Sequence, residues 1–474
     1  MSKISSVMNI ANRSMQNSQL GLQTVSHNIA NKTTKGYSRQ RVDFQTNAPI
    51  GHGKTRTGMG ARGGSISRTN NPYLEKQLEK EGTKMGFANS RATSLARVEQ
   101  VYNEQVNKGL NQFMGEFFNS FRELSTNPES LATRTLVKES ADFLTKDFHR
   151  VNDQLNGIQS DMDFEIVTQI QEVNQITKEV ASLNEKIQRV TMEGGPGNDE
   201  RDRRELLLKE LSSKMNISYA EDDTGLITVT AGKSAIIVSG YENRDLYANA
   251  SPEEGKKLEG NFDVFYKPTD DGTPVRITEH ITGGELGGVL EIRDKVVNDL
   301  IGELDQVAYD MSREVNKAHV KGFNQYSKTG GVFFESITEV KGAAKKLALN
   351  KSLKNDVGLI AAAGSINSPG DNRIANIISN IQNKKVMGGG DATIDDFYRS
   401  SVGRIGVLAG RANSEVESQG SIKKQLENMR ESVSGVSLDE ETTKMIEYQK
   451  SFDASARLIR TADEMMDTVL NLKR

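Results

Sequence analysis

From Ser437 to Arg474 the chain reads SLDEETTKMIEYQKSFDASARLIRTADEMMDTVLNLKR. Alternating steps of three and four residues from Leu438 land on Glu441, Met445, Tyr448, Phe452, Ser455, Ile459, Ala462, Met466 and Val469. A repeat of about 3.5 residues keeps one face of a helix turned toward a partner helix. Ser437 with Glu440 three residues later has the form of a capping box, which fixes where that helix begins. The stripe is amphipathic and needs a partner.

The other end of the chain offers one. From Ile4 the same alternation reaches Met8, Ala11, Met15, Ser18, Leu22, Val25 and Ile29, a seam about 40 Å long if helical. We expect the two ends to return to one place and pair as a coiled coil. The seams are weak, however. A buried Leu or Met contributes roughly 1.5–3 kcal/mol, and Ala11, Ser18, Ser455 and Ala462 contribute far less. Such helices should be loosely ordered alone and firm up when neighbouring copies cover them. The predicted assembly interface is therefore Ile4, Met8, Ala11, Met15, Leu22, Val25 and Ile29 with Met445, Tyr448, Phe452, Ile459, Ala462, Met466 and Val469.

Between the ends the periodicity is mostly helical. Asn71-Pro72 is a start signal for a helix through Leu74, Leu78, Ala88, Leu95 and Tyr102. A dense apolar patch at Phe113, Phe117, Phe118, Phe121 and Leu124 reads as core. A further run from Leu131 to Val190 would make a rod of about 90 Å if unbroken, implying a bundle more than a globule. GGPGND at Gly194 to Asp199 breaks it. From Ile217 to about Ile281 apolar residues alternate instead, with turns at Asp222-Asp223-Thr224-Gly225 and Asp270-Asp271-Gly272. Helical periodicity resumes at Val289, loosens between Lys321 and Gly390, and returns from Thr393 to Met429 before a Ser-Gly linker at Ser432 to Gly435. The expected fold is mainly α, an elongated helical bundle with a smaller inserted β-rich domain. The expected domains are a terminal coiled coil (1–45 with 431–474), a helical body (46–212 with 285–430) and the insert (213–284).

Composition narrows the function classes. A chain of 474 residues with 35% hydrophobic and 26% charged residues matches a soluble protein of two to four domains. A formal net charge of −3 lacks the basic excess of nucleic-acid or membrane-surface binders. Absence of cysteine excludes disulfides, thiol catalysis and thiolate metal sites, and suits an oxidising exterior. There is no signal-peptide pattern and no stretch long enough to span a membrane. The chain is expected to be cytoplasmic or exported without a cleaved leader.

After the first helix comes NIANKTTKGYSRQRVDF, from Asn28 to Phe44. This stretch resembles the signature of the bacterial flagellar axial proteins, in which a helix ending in Asn-Ile-Ala-Asn is followed by a glycine-aromatic pair. The segment Gly36-Tyr37-Ser38-Arg39-Gln40 is most similar to the hook–filament junction members of that family. The resemblance implies that Asn28, Ala30, Asn31, Gly36, Tyr37, Arg39 and Gln40 join the terminal helix to the next shell. It implies terminal helices forming the inner tube of a hollow assembly, middle helices outside them, and the β insert pointing outward. The short insert implies that an outer domain found in some relatives is absent here. Implied partners are the hook protein, a second junction protein, further copies of the chain, and an export chaperone on the C-terminal helix. The implied location is the extracellular flagellum, reached by the flagellar secretion route.

Other readings are weaker. APIGHGKT, from Ala48 to Thr55, fits a loose phosphate-loop pattern, and GMGARG, from Gly58 to Gly63, fits a dinucleotide fingerprint. Both chemistries need a buried strand before the loop and a helix opening from it, and neither context is present. Turns and a hairpin are expected instead. The five histidines, His27, His52, His149, His280 and His319, show no metal-ligand spacing. No nucleophile elbow or Cys-His pair exists, and we expect no catalytic site, no cofactor and no metal. A related axial protein (a second junction protein or a flagellin-like cousin), a non-flagellar coiled-coil surface protein, and a nucleotide binder using Lys54 remain as alternatives.

Overall fold

A computed structural model describes residues 2–49, 58–102, 108–250, 261–269 and 272–471. Helix α1 (Ser2–Ala30) leads through a tight loop into a hairpin, β1 (Gln40–Thr46) and β2 (Ala61–Arg68). Four helices follow: α2 (Pro72–Val101), α3 (Leu110–Thr126), α4 (Leu131–Met192) and α5 (Asn198–Lys214). Asn71 caps α2 by accepting from the backbone N–H of Tyr73 and Leu74, with Pro72 at the first helical position. At 62 residues α4 runs unbroken, about 93 Å at 1.5 Å per residue. The expected rod is present, capped by Ser130, whose hydroxyl accepts from Thr133 N–H.

Nine strands in all make up the described β structure. After the hairpin come a four-stranded sheet, β3 (Ile217–Glu221), β4 (Ile227–Ala231), β5 (Ala235–Ser239) and β6 (Glu242–Asn243), and a three-stranded sheet, β7 (Leu246–Ala250), β8 (Phe262–Tyr266) and β9 (Val275–Arg276). All neighbours are antiparallel. Along β4 the alternate residues Ile227, Val229 and Ala231 are buried, the half-buried pattern that the sequence predicted. Asn184 of α4 pins the first sheet, donating to the carbonyls of Ile227 and Gly240 and accepting from Arg204.

The chain returns through α6 (Gly284–Glu291), a π-helical turn (Ile292–Val297) and α7 (Asn298–His319). Arg293 of the π turn is fully buried and bridges Asp163 of α4 at 2.5 Å and the Phe262 carbonyl at 2.7 Å, tying the second sheet to the rod. A loop-rich stretch carries α8 (Ala343–Lys346), α9 (Lys351–Asn355) and α10 (Arg373–Ser379). The last helices are α11 (Ile394–Ser434) and α12 (Leu438–Asn471).

The densest core lies where α3, α4 and the loop after α7 meet. Phe117, Phe118, Phe121, Phe148, Phe333 and Phe334 are fully buried, in edge-to-face contacts such as Phe333 to Phe334 at 4.9 Å. The accessible surface of 25412 Å² far exceeds the roughly 17,500 Å² of a compact monomer of this mass. The bundle is elongated.

Several sequence expectations need correction. The hairpin crosses the boundary drawn at residue 45, because β1 and β2 pair along their length. Helix α11 crosses the one drawn at 430 and runs through the supposed Ser432 to Gly435 linker as far as Ser434. Ser432, Val433 and Ser434 stay helical because they continue the turn whose last carbonyl is met by Gly435 N–H, which donates to Glu431 O at 2.9 Å. Gly58 to Gly63 enters strand β2, as the hairpin reading expected, while Lys54 lies outside the described residues.

Candidate functional site

Helices α1 and α12 pack against each other antiparallel along most of their length. Three contacts fix the register. Asn28 Nδ2 donates to Glu441 Oε2 at 2.9 Å, a Cβ placed on Gly21 would lie 2.7 Å from the Tyr448 ring, and the hydroxyls of Ser14 and Ser455 meet at 2.7 Å. Residues 28, 21 and 14 thus fall opposite 441, 448 and 455, one heptad per step in each direction. The seam is narrow because small residues let the backbones approach. Ala11, Ser18, Ser455 and Ala462 are almost fully buried.

On α12, Glu441, Tyr448 and Ser455 of the stripe meet α1, and Ala462 is buried. On α1 half of the prediction shifts. Ala11, Ser18 and Val25 are buried as expected, but the alternate line runs through Ser14, Gly21 and Asn28, one residue before Met15, Leu22 and Ile29. Met8, Met15, Leu22 and Ile29, together with Ile4, are only half-buried. The apolar criterion picked the larger neighbour, whereas close approach selects the smaller one. The hairpin covers a further face of α1: Asn17 donates to Ala61 O at 2.8 Å and accepts from Gly63 N–H at 2.9 Å.

Large apolar side chains flank the seam. Met445, Tyr448, Phe452, Ile459 and Met466 are half-buried, and Val469 is exposed. Val7, Ile446, Leu458, Met465 and Leu470 are 45%, 57%, 51%, 54% and 51% exposed. Leu458 and Met465, seven residues apart, share one exposed face of α12 with Val469 beside them, and apolar side chains left in solvent together mark a surface made to be covered.

The signature residues form a polar node where this pair meets the bundle. Gly36 takes φ +83°, and a Cβ there would press on Leu206 of α5 at 3.1 Å. The turn delivers Tyr37 beneath α1, where its hydroxyl donates to Asn28 Oδ1 at 2.8 Å. Asn28 also accepts from Gln40 N–H at 2.9 Å and donates to Gln40 O at 2.8 Å. With Glu441, both of its donors and both lone pairs are used. Arg39 Nε and NH1 reach Glu441 and Glu440 of α12, each at 2.8 Å, so the Glu440 expected to cap its own helix reaches to the loop. Asn31 donates to His27 O and accepts from the Thr34 hydroxyl, and Ala30 is exposed at the helix end.

The node extends into the body through residues that sequence reasoning did not single out. Gln40 donates to Asp199 at 2.7 Å and Ser38 N–H to Asp202 at 2.8 Å, both on α5. Arg68 of β2 pairs with Asp202 at 2.6 Å. Arg430 of α11 donates to the carbonyls of Gly36 and Tyr37 and pairs with Glu75 of α2 at 3.0 Å. Burial pushes the Tyr37 hydroxyl pKa up, aided by Asp199, Asp202 and Glu441. Burial also raises Asp202 despite Arg68. For Glu75 burial works upward, but Lys209 and Arg430 together hold its carboxyl below the usual value. One signal was available in the sequence: Glu441 is the sole charged residue in the α12 stripe.

Among the described residues no helix is long and apolar enough to cross a membrane, and no group of three His, Cys, Asp or Glu is placed to hold a metal. The comparisons with known proteins agree with the geometry. A family model described as the flagellar hook-associated protein FlgK helical domain matches residues 95–334. A model of the flagellar basal body rod FlgEFG protein C-terminal region matches 430–472, which takes in Arg430, Glu441 and all of α12. Flagellar hook-associated protein 1 of Bacillus subtilis (strain 168) is 27% identical over 97% of both chains. That of Salmonella typhimurium is 23% identical over 99% of this chain and 100% of its own. The solved structure of the flagellar hook junction protein FlgK from Burkholderia pseudomallei shares the fold, with TM-score 0.68 over 76% of this chain and 100% of that one, at 14% identity. With matching terminal helices, helical body and near full-length relatives, this chain belongs to the flagellar hook-associated protein FlgK family.

Proposed function

We propose that this chain is a structural subunit of the bacterial flagellum that joins hook to filament and assembles with its own copies through the paired terminal helices. The observation that carries this is the pairing itself: α1 and α12 bury their small residues against each other while leaving Ile446, Leu458, Met465 and Leu470 to solvent. Exposed apolar side chains spread along a terminal helix pair serve contacts between chains. In this reading Ile4, Met8, Met15, Leu22, Ile29, Phe452, Ile459, Met466 and Val469 complete their burial against neighbours. The heterologous contacts of a ring or helical layer repeat the same two surfaces on every copy.

The signature node holds the angle between the terminal pair and the helical body. The pair forms the inner tube, the body surrounds it, and the β sheets point outward. The partners are the hook protein on one side and a second junction protein on the other, with an export chaperone holding the C-terminal helix before assembly. The protein works outside the cell and catalyses no reaction.

Replacing Ile446, Leu458 and Met465 together with serine tests this. All three are exposed, so the purified monomer should melt as the parent does. Cells carrying only the variant should build hooks that bear no filaments. Normal filaments on such cells would overturn the proposal.

A further inference from the structure

A cavity of about 340 Å³ lies beside the first turns of α4. Its one cationic lining residue is Arg134, which is 3% exposed. The guanidinium donates to the carbonyls of Pro128, at 2.8 Å, and Ile360, and its buried Nε has no partner among the described residues. Among the described residues no carboxylate is among the charges that act on it, and burial pulls its pKa down against a weaker upward pull from Tyr326. Buried guanidinium groups are ordinarily matched by an anion.

The rest of the wall is polar, with Asn324, Gln325, Ser327, Ser365, Asn367 and Ser368. Ser327 and Asn367 have φ of 56° and 55°, the two non-glycine residues with positive φ among those described. Two large apolar side chains flank the same loops. Tyr326 and Ile366 are 52% and 58% exposed, and each sits between two lining residues in sequence. A polar pocket lined by a buried charge, with exposed Tyr326 and Ile366 beside its lining residues in sequence, has the form of an anchor site for a protein side chain.

We propose that this cavity receives an acidic side chain of a neighbouring flagellar subunit, its carboxylate accepting from the Arg134 guanidinium. A single guanidinium matches a monoanion, whereas a phosphate dianion would call for further cations. Glu129, the acidic residue of the lining, is exposed, so solvent screens its repulsion of an entering carboxylate. The exposed Tyr326 and Ile366 on the same loops favour a protein partner over a free metabolite. That this partner belongs to the flagellum rests on the function proposed above, whereas carboxylate binding does not.

The test uses the full chain with ¹⁵N-labelled arginine. N-acetylglutamate N-methylamide, its uncharged glutamine counterpart and inorganic phosphate are titrated separately while the Arg134 Nε–H resonance is followed. The glutamate compound should give a saturable shift, the glutamine compound none, and phosphate a weaker one. No shift with the glutamate compound, or an equal one with either other compound, overturns the proposal. Since Arg134 also braces two carbonyls, the pocket is blocked separately by Ser368→Trp. That variant should melt like the parent, lose the titration shift, and reduce the fraction of hooks bearing filaments. Unchanged filament attachment in a folded variant that no longer binds the glutamate compound overturns the subunit partner. Neither arm touches the α12 face, so failure here is distinct from failure of the terminal pairing.

Discussion

Asn28 and Glu441 stand 413 residues apart in sequence and 2.9 Å apart in space. Their bond joins the two ends of the chain at the point where both enter the body. Because Asn28 spends all its hydrogen-bonding capacity there, removing it orphans the Tyr37 hydroxyl, the Gln40 amide and carbonyl, and one oxygen of Glu441 at once.

Asn28→Ala should therefore destabilise the docking of the terminal pair by about 3 kcal/mol, raising amide exchange in α12 by roughly a hundredfold. Exchange in α4 should stay unchanged. Hydrogen exchange read by mass spectrometry separates the two, and unaltered α12 protection would remove the node from the account.

At Gly21 the two terminal helices leave no room for a Cβ. A methyl group at 2.7 Å from the Tyr448 ring forces the ring aside or the helices apart, so Gly21→Ala should cost about 1–3 kcal/mol. Tyr448→Leu in the same chain should recover most of it. Recovery by that second change, measured by exchange in α1, identifies steric contact as the cause, whereas helix propensity alone would make Gly21→Ala stabilising.

Glu79 of α2 is buried and accepts from the Tyr219 hydroxyl of β3 at 2.7 Å. Burial raises its pKa from 4.5 to about 7. The folded chain thus holds this proton more tightly than the unfolded chain does. The stabilisation is complete below pH 4.5 and is lost as pH rises through 7. Glu79→Gln should flatten this part of the stability profile between pH 5 and 8, read by denaturant titration at each pH.

His319 works on the acid side. Burial lowers its pKa from 6.5 to about 4, while its ring meets Gly331 O at 2.6 Å and accepts from Ala361 N–H at 2.9 Å. Its contribution is present above pH 6.5 and is lost as pH falls through 4. His319→Gln should lower stability at pH 7 by about 1–3 kcal/mol and remove the slope between pH 6.5 and 4. A parallel slope in the variant would assign it to other groups.

Much of this molecule was legible from residue order. Periodicity near 3.5 located α1, α4 and α12, because a helix must bury one face and that face recurs at a fixed spacing whatever its partner. Asn71-Pro72, Gly194 to Asp199 and the Asp222 turn marked boundaries, because those residues settle local backbone conformation without help from distant contacts. Gly36, Tyr37, Arg39 and Gln40 stood out as a motif, although nothing local says what they touch. Only tertiary structure chose Ser14 and Gly21 over Met15 and Leu22, since the choice depends on how near a second helix comes. It likewise brought Asp202, Arg430 and Glu75 to the signature loop and left Arg134 without a carboxylate among the described residues. Local sequence governs which face of a helix is apolar; which small or charged side chain occupies a contact depends on distances between elements hundreds of residues apart.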